Sequence, residues 1–163
     1  MEERKLREQL SGIEPLLLRV SWLEQRRFAQ EIAALNLTPP QFFVLRSIVA
    51  HGPHCTMSTL AGDTLQHCAT VTGVVDRLEK MGLVTRQRDA QDRRQVLVEV
   101  TPAAADLLSR IRGDREKRLR ETLLRLPDED VSELLRLLRV YLEVLHLQYE
   151  GAGDPPPAGA GRD

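Results

Sequence analysis

Between residues 68 and 100 the hydrophobic period changes from helical to strand-like, and few folds accept that change in so short a span. Val71, Val74, Val75, Leu78 and Met81 recur at the three-and-four spacing of one buried helix face. Gly82 follows as a left-handed C-terminal cap. Residues 83–88 and 95–100 then read as two strands, with Val96, Val98 and Val100 on one face of the second. The polar segment Asp89-Ala90-Gln91-Asp92-Arg93-Arg94 between them is a hairpin tip. A helix feeding a charged hairpin needs a further layer to bury its apolar stripe, and the flanking sequence must supply it.

Upstream, Thr38-Pro39-Pro40-Gln41 marks a sharp helix start. Thr38 can cap free N–H groups, the prolines fill the opening turn, and Gln41 can reach back. Phe42, Leu45, Ile48 and Val49 form the expected buried stripe, and His51-Gly52-Pro53 stops the helix. A short helix over residues 57–65 turns Leu60 and Ala61 inward before a turn at Gln66-His67. Before all this, a charged start is expected to break at Ser11-Gly12, with Pro15 opening a new helix to about Leu35 and Asn36 closing it. After the hairpin, Thr101-Pro102 restarts a helix to about residue 126, and Pro127-Asp128 opens the last one. Its wide apolar stripe comprises Val131, Leu134, Leu135, Leu138, Tyr141, Leu142 and Leu145. Residues 151–163, rich in Gly and Pro, are expected to be disordered.

The expected fold is therefore mainly α with a small β-hairpin wing, a winged helix-turn-helix flanked by N- and C-terminal dimerisation helices. The expected divisions are residues 1–36, 37–101, 102–150 and a tail over 151–163. No apolar run is long enough to span a bilayer and the N-terminus lacks a signal-peptide pattern, so a cytoplasmic protein without a membrane partner is expected. The two cysteines suit a reducing compartment.

The net charge of −1 announces no polyanion partner, but local charge does better. Residues 85–95 carry Arg86, Arg88, Arg93 and Arg94 against Asp89 and Asp92. On the helix before them, the buried stripe leaves Ala69, Thr70, Gly73, Arg77 and Lys80 facing outward, with Thr72 offering a second hydroxyl. Small residues near the helix N-terminus let the backbone approach base edges in a major groove, and the helix dipole favours phosphates. The hairpin tip can place arginines in the adjacent minor groove. Double-stranded DNA is the expected partner. A winged-helix module that meets protein instead is the alternative, and salt dependence of duplex binding separates the two.

The stretches LTPPQFFVLRSI, STLA and TVTGVVDRLEKMGLVTRQRDAQDRRQVLVEVTPAA together resemble the MarR family of winged helix-turn-helix regulators. The match runs in register over residues 37–105; its most specific piece is Asp92-Arg93-Arg94, seven residues before Thr101-Pro102. The resemblance implies a homodimer clasped by the terminal helices, repressing promoters at a pseudo-palindromic operator until a small molecule or oxidant releases it. It implies that Asp92 steadies the wing while Arg94, helped by Arg93, enters the minor groove. For an effector, Trp22, Arg26, Phe42, Arg46 and Arg115 are candidate walls. The sequence departs from the family at three places. His67 stands where Ser or Thr usually caps the recognition helix, Gly73 where a long polar reader is common, and Ala104 where glycine often follows Thr-Pro.

His51, His54 and Cys55 cluster at one end of the short helix, and His67 and Cys68 at the other. At ~1.5 Å per residue the two ends lie ~13 Å apart, too far to share one metal, so no metal and no cofactor is expected. Cys68, at a helix N-terminus beside His67, is a candidate redox thiol, and a thiol-based sensor is a further alternative. The peroxide-sensing branch of the family keeps its cysteine in the first long helix, where this chain has none. No phosphate loop, metal motif or Ser-His-Asp set can be assembled, so no enzyme is expected.

Overall fold

The computed structural model describes residues 2–52, 54–89, 92 and 95–148. The chain divides into two units, Met1–Phe42 and Phe43–Asp163. Six helices and three strands follow in order among the described residues: α1 (Glu2–Ala34), α2 (Pro39–His51), β1 (Cys55–Thr56), α3 (Met57–Asp63), α4 (Cys68–Lys80), β2 (Val84–Arg88), β3 (Val96–Val100), α5 (Pro102–Leu123) and α6 (Asp128–Gln148). The mainly helical winged architecture read from the pattern is the one observed.

In the first unit, α1 is one helix of 33 residues with Pro15 inside it, which corrects the expected break at Ser11-Gly12. Pro15 removes the N–H that would reach the Ser11 carbonyl, a defect of about 3 kcal/mol in a helix interior. Leucine-rich turns on both sides carry the helix through, and the Ser11 hydroxyl donates to the Glu8 carbonyl at 2.7 Å instead of ending it. Asn36 does close the helix, in the left-handed conformation at φ 57°. At the start of α2 the Thr38 N–H donates to Gln41 Oε1 at 2.8 Å, and the Thr38 hydroxyl also points there at 3.1 Å. That is the reach-back half of a capping box.

The second unit holds a continuous core. Leu45 and Ile48 of α2, Leu60 of α3, Val71, Val75 and Leu78 of α4, and Val98 of β3 are each fully buried. The expected stripe of α2 holds at Phe42, Leu45 and Ile48 and also takes in Val44 and Ser47, whereas Val49 is exposed. Met81 is likewise out of the core at 40% exposure, because α4 has already reached its C-cap there and Gly82 turns the chain at φ 71°. The short helix α3 stops at Asp63 rather than Leu65, which takes φ 51° in the turn.

The wing is more than a hairpin. β1 pairs antiparallel with β3, making a three-stranded sheet in the order β1-β3-β2. Cys55 faces Val98, while Val84, Arg86 and Arg88 face Val100, Val98 and Val96. β1, at two residues, is too short for period-two patterning to reveal. The base of the wing is tied to α5 through Thr101. Its hydroxyl donates to the Gly82 carbonyl at 2.8 Å and accepts from the Ala104 N–H at 3.3 Å.

Candidate nucleic-acid interface

Helix α4 presents three stripes, and each has a different task. Val71, Val74, Val75 and Leu78 are buried in the core. Asp76 and Glu79 lie along the side that meets β2, where their carboxylates, with the Thr72 backbone carbonyl, contact Arg86. Ala69, Thr70, Arg77 and Lys80 are exposed on the remaining side, with Gly73 half-buried among them. The Arg77 guanidinium folds back over that gap, with Nη2 3.9 Å from where a Gly73 Cβ would stand. The free stripe therefore begins with small side chains at the positive end of the helix dipole and ends with two cations.

This placement brings together five of the residues singled out from the sequence and separates two. Thr72 is exposed beside the stripe, but its hydroxyl donates to the Cys68 carbonyl at 2.8 Å. Arg86 is committed inward: it pairs with Asp76 at 2.6 Å and Glu79 at 3.1 Å, and is only 25% exposed. Strand alternation is the cause, because Arg86 shares a sheet face with buried Val84 and lies opposite buried Val98. Arg88, two residues further along that face, is exposed.

At the hairpin tip, the Asp89 N–H donates to the Gln95 carbonyl at 3.1 Å, and the Gln95 N–H to the Asp92 carbonyl at 2.8 Å. Gln95 Nε2 also approaches Asp92 Oδ2 at 3.5 Å. Asp92 thus sits where the tip closes onto the two strands. Arg93 and Arg94, the expected minor-groove contacts, lie outside the described residues, as does the tail over 151–163.

The backbone at His67 is extended, as an N-cap requires, but its side chain makes no capping hydrogen bond. Thr56 and Thr101, with almost the same dihedrals, do cap α3 and α5. Cys68 is exposed at the first position of α4, while Cys55 is buried, and burial with the nearby Asp63 carboxylate pushes its thiol up to about 11. His51 and His54, grouped with Cys55 by sequence, separate onto different carboxylates. His51 Nε2 meets Asp63 at 2.6 Å, and His54 Nδ1 meets Glu99 of β3. Ser47, buried on α2, donates to the same Asp63 oxygen that His51 touches.

The candidate effector walls fall in both units. On α1 the Arg26 guanidinium stacks 5.2 Å from the Trp22 ring, and Trp22 is one lining of a shallow open hollow with Leu18, Arg19, Ser21 and Gln25. Phe42 is buried with its ring edge-on to Phe28 at 4.7 Å. Arg46 and Arg115 belong to the second unit, the former half-buried and the latter exposed.

Known proteins with this arrangement can be compared directly. The family model described as MarR family matches residues 37–96, which is the segment from the cap of α2 to the start of β3. The organic hydroperoxide resistance transcriptional regulator of Bacillus subtilis is 30% identical over 115 residues, covering 69% of this chain and 74% of that protein. The HTH-type transcriptional repressor NicR of Pseudomonas putida is 38% identical over 81 residues, 50% of this chain and 51% of that one. Among solved structures, a MarR family protein from Bacillus stearothermophilus superposes with a TM-score of 0.76 at 25% identity, covering 85% of this chain and 96% of that one.

Proposed function

The chain belongs to the MarR family of DNA-binding transcriptional regulators, and from that premise we propose that it is a homodimeric repressor released from a pseudo-palindromic operator by a small molecule. The observation that carries the reading is the free stripe of α4, small at its N-terminal half and cationic at Arg77 and Lys80, beside a wing whose tip is rich in arginine. Ala69, Thr70 and Gly73 allow close approach to base edges, and Arg77 and Lys80 supply phosphate contacts. Arg88, Arg93 and Arg94 extend the contact to the minor groove, with Asp92 shaping the tip. Because the outward stripe carries few long polar side chains, DNA shape and the wing supply much of the specificity. The name of the relative NicR, a repressor, favours repression.

Two-fold assembly is supported by apolar surface. Leu10, Ile13 and Leu17 of α1 are about half exposed, and so are Leu134, Leu138, Tyr141 and Leu142 of α6, a helix with no buried residue. Surfaces of this kind are what a second copy of the chain would cover. Residues 1–36 and 102–150 would then serve dimerisation. Two recognition helices would stand about 34 Å apart, one turn of DNA. Trp22, Arg26, Phe42, Arg46 and Arg115 remain the proposed effector contacts.

The test is operator binding by fluorescence anisotropy, using a duplex selected from a random pool by the wild-type protein. Arg94→Ala should cost about 1–3 kcal/mol and flatten the salt slope by about one unit. Asp92→Ala should also weaken binding, although it deletes a negative charge beside DNA. Tighter binding by a folded, dimeric Asp92→Ala protein would show the tip to be merely a charged loop. A stable monomer in sedimentation at micromolar concentration would refute the dimer.

A further inference from the structure

Arg86 joins the wing to α4 through three polar contacts. Its Nη1 lies 2.6 Å from Asp76 Oδ1 and 3.1 Å from Glu79 Oε2, and its Nη2 donates to the Thr72 carbonyl at 3.4 Å. Thr72, Asp76 and Glu79 are spaced four and three apart, so a single guanidinium reaches one carbonyl and two carboxylates along nearly two turns of α4. A planar fork with five donors suits that task, and a lysine ammonium does not. The residue sits midway along β2, which is an edge strand of the sheet. Beyond it the strand runs on to Arg88.

Two carboxylates on a helix that must approach a polyanion are a liability, since each repels nearby phosphates. Paired to Arg86, the two carboxylates share one compensating charge, on the side of α4 that meets β2 and borders the free stripe. The same contact ties the middle of β2 to α4, the helix that carries Arg77 and Lys80. We propose that Arg86 is a positioning residue for DNA binding: it sets the wing against the recognition helix through Asp76 and Glu79, and does not itself contact phosphate. This rests on the DNA-binding reading above and assigns Arg86 a role different from that of Arg88, Arg93 and Arg94.

A double-mutant cycle tests it, with the selected operator duplex as probe and melting temperature measured beside affinity. Arg86→Ala should weaken operator binding about ten-fold, within the coupling range of residues in contact. In the Asp76→Asn/Glu79→Gln background the same substitution should change affinity less than about two-fold, because the partners are already gone. The salt slope should stay at the wild-type value in Arg86→Ala, since no phosphate contact is lost. Arg86→Lys, which keeps the charge but bridges one carboxylate, should recover part of the affinity. The Asp76→Asn/Glu79→Gln protein, which keeps the guanidinium, should itself bind more weakly although it sheds two negative charges. A loss from Arg86→Ala that persists undiminished in that background, or a slope shallower by about one unit, makes Arg86 a direct phosphate contact and overturns the proposal. So does tighter binding by Asp76→Asn/Glu79→Gln, or wild-type affinity in all variants. If the wild-type protein shows no salt-dependent duplex binding at all, the DNA-binding reading fails, which is a separate result.

Discussion

Replacing His67 with serine should stabilise the protein, because it completes the one helix start in the helix-turn-helix whose side-chain cap is missing. The N-cap positions of α3, α4 and α5 have nearly superimposable backbones: Thr56 at φ −83°, ψ 157°, His67 at φ −68°, ψ 143°, and Thr101 at φ −78°, ψ 162°. At Thr56 and Thr101 the hydroxyl oxygen accepts from the N–H three residues on, at 3.2 and 3.3 Å. At His67 the N–H three residues on, that of Thr70, turns to the His67 carbonyl at 2.9 Å, and the side chain caps nothing. A serine oxygen in the same backbone would sit where the threonine oxygens sit, within reach of the Thr70 N–H. Substitutions at caps are typically worth about 1 kcal/mol. For a protein of this size that shifts Tm by about 2–4 °C. The assay is differential scanning calorimetry of wild type and His67→Ser at one matched protein concentration, since dimerisation makes Tm concentration-dependent. An unchanged or lower Tm would refute the reasoning: the His67 ring would then contribute packing or solvation equal to a cap, and shared dihedrals would not be enough to transfer one.

Further outcomes follow from single residues. Cys68 should be alkylated rapidly and Cys55 slowly near neutral pH, as mass spectrometry after a short iodoacetamide pulse can read, because only Cys68 is exposed; equal labelling would be contrary. Since the folded-state thiol of Cys55 is raised from 9.0 to about 11, the fold holds that proton more tightly than the unfolded chain does. Its contribution to stability is complete below about pH 9 and lost as pH climbs to about 11, so Cys55→Ala should flatten the alkaline fall in denaturation midpoint. Gly73→Ala should raise stability by about 0.5–1 kcal/mol in urea denaturation, since a helix interior disfavours glycine. An added Cβ there meets only the flexible end of Arg77 at 3.9 Å. A lower midpoint would mean that α4 needs that gap.

Local rules determined much of this protein from its sequence alone. Helix spacing located α4 and its buried stripe, Thr-Pro starts located α2 and α5, and Gly82 and Asn36 located left-handed ends, because caps and periods act within four residues. The free stripe of Ala69, Thr70, Arg77 and Lys80 was equally legible, as the complement of the buried one. What those rules could not decide were choices made by contacts distant in sequence. Pro15 argues locally for a break, but α1 runs through it. β1 exists only because β3 lies alongside it. Arg86 reads as one more basic residue on a charged wing; only the register that seats it opposite Val98 and over Asp76 and Glu79 turns it from solvent to α4. A side chain's charge is written in its own position, whereas the partner that uses that charge is decided by which residues the fold brings within 3 or 4 Å.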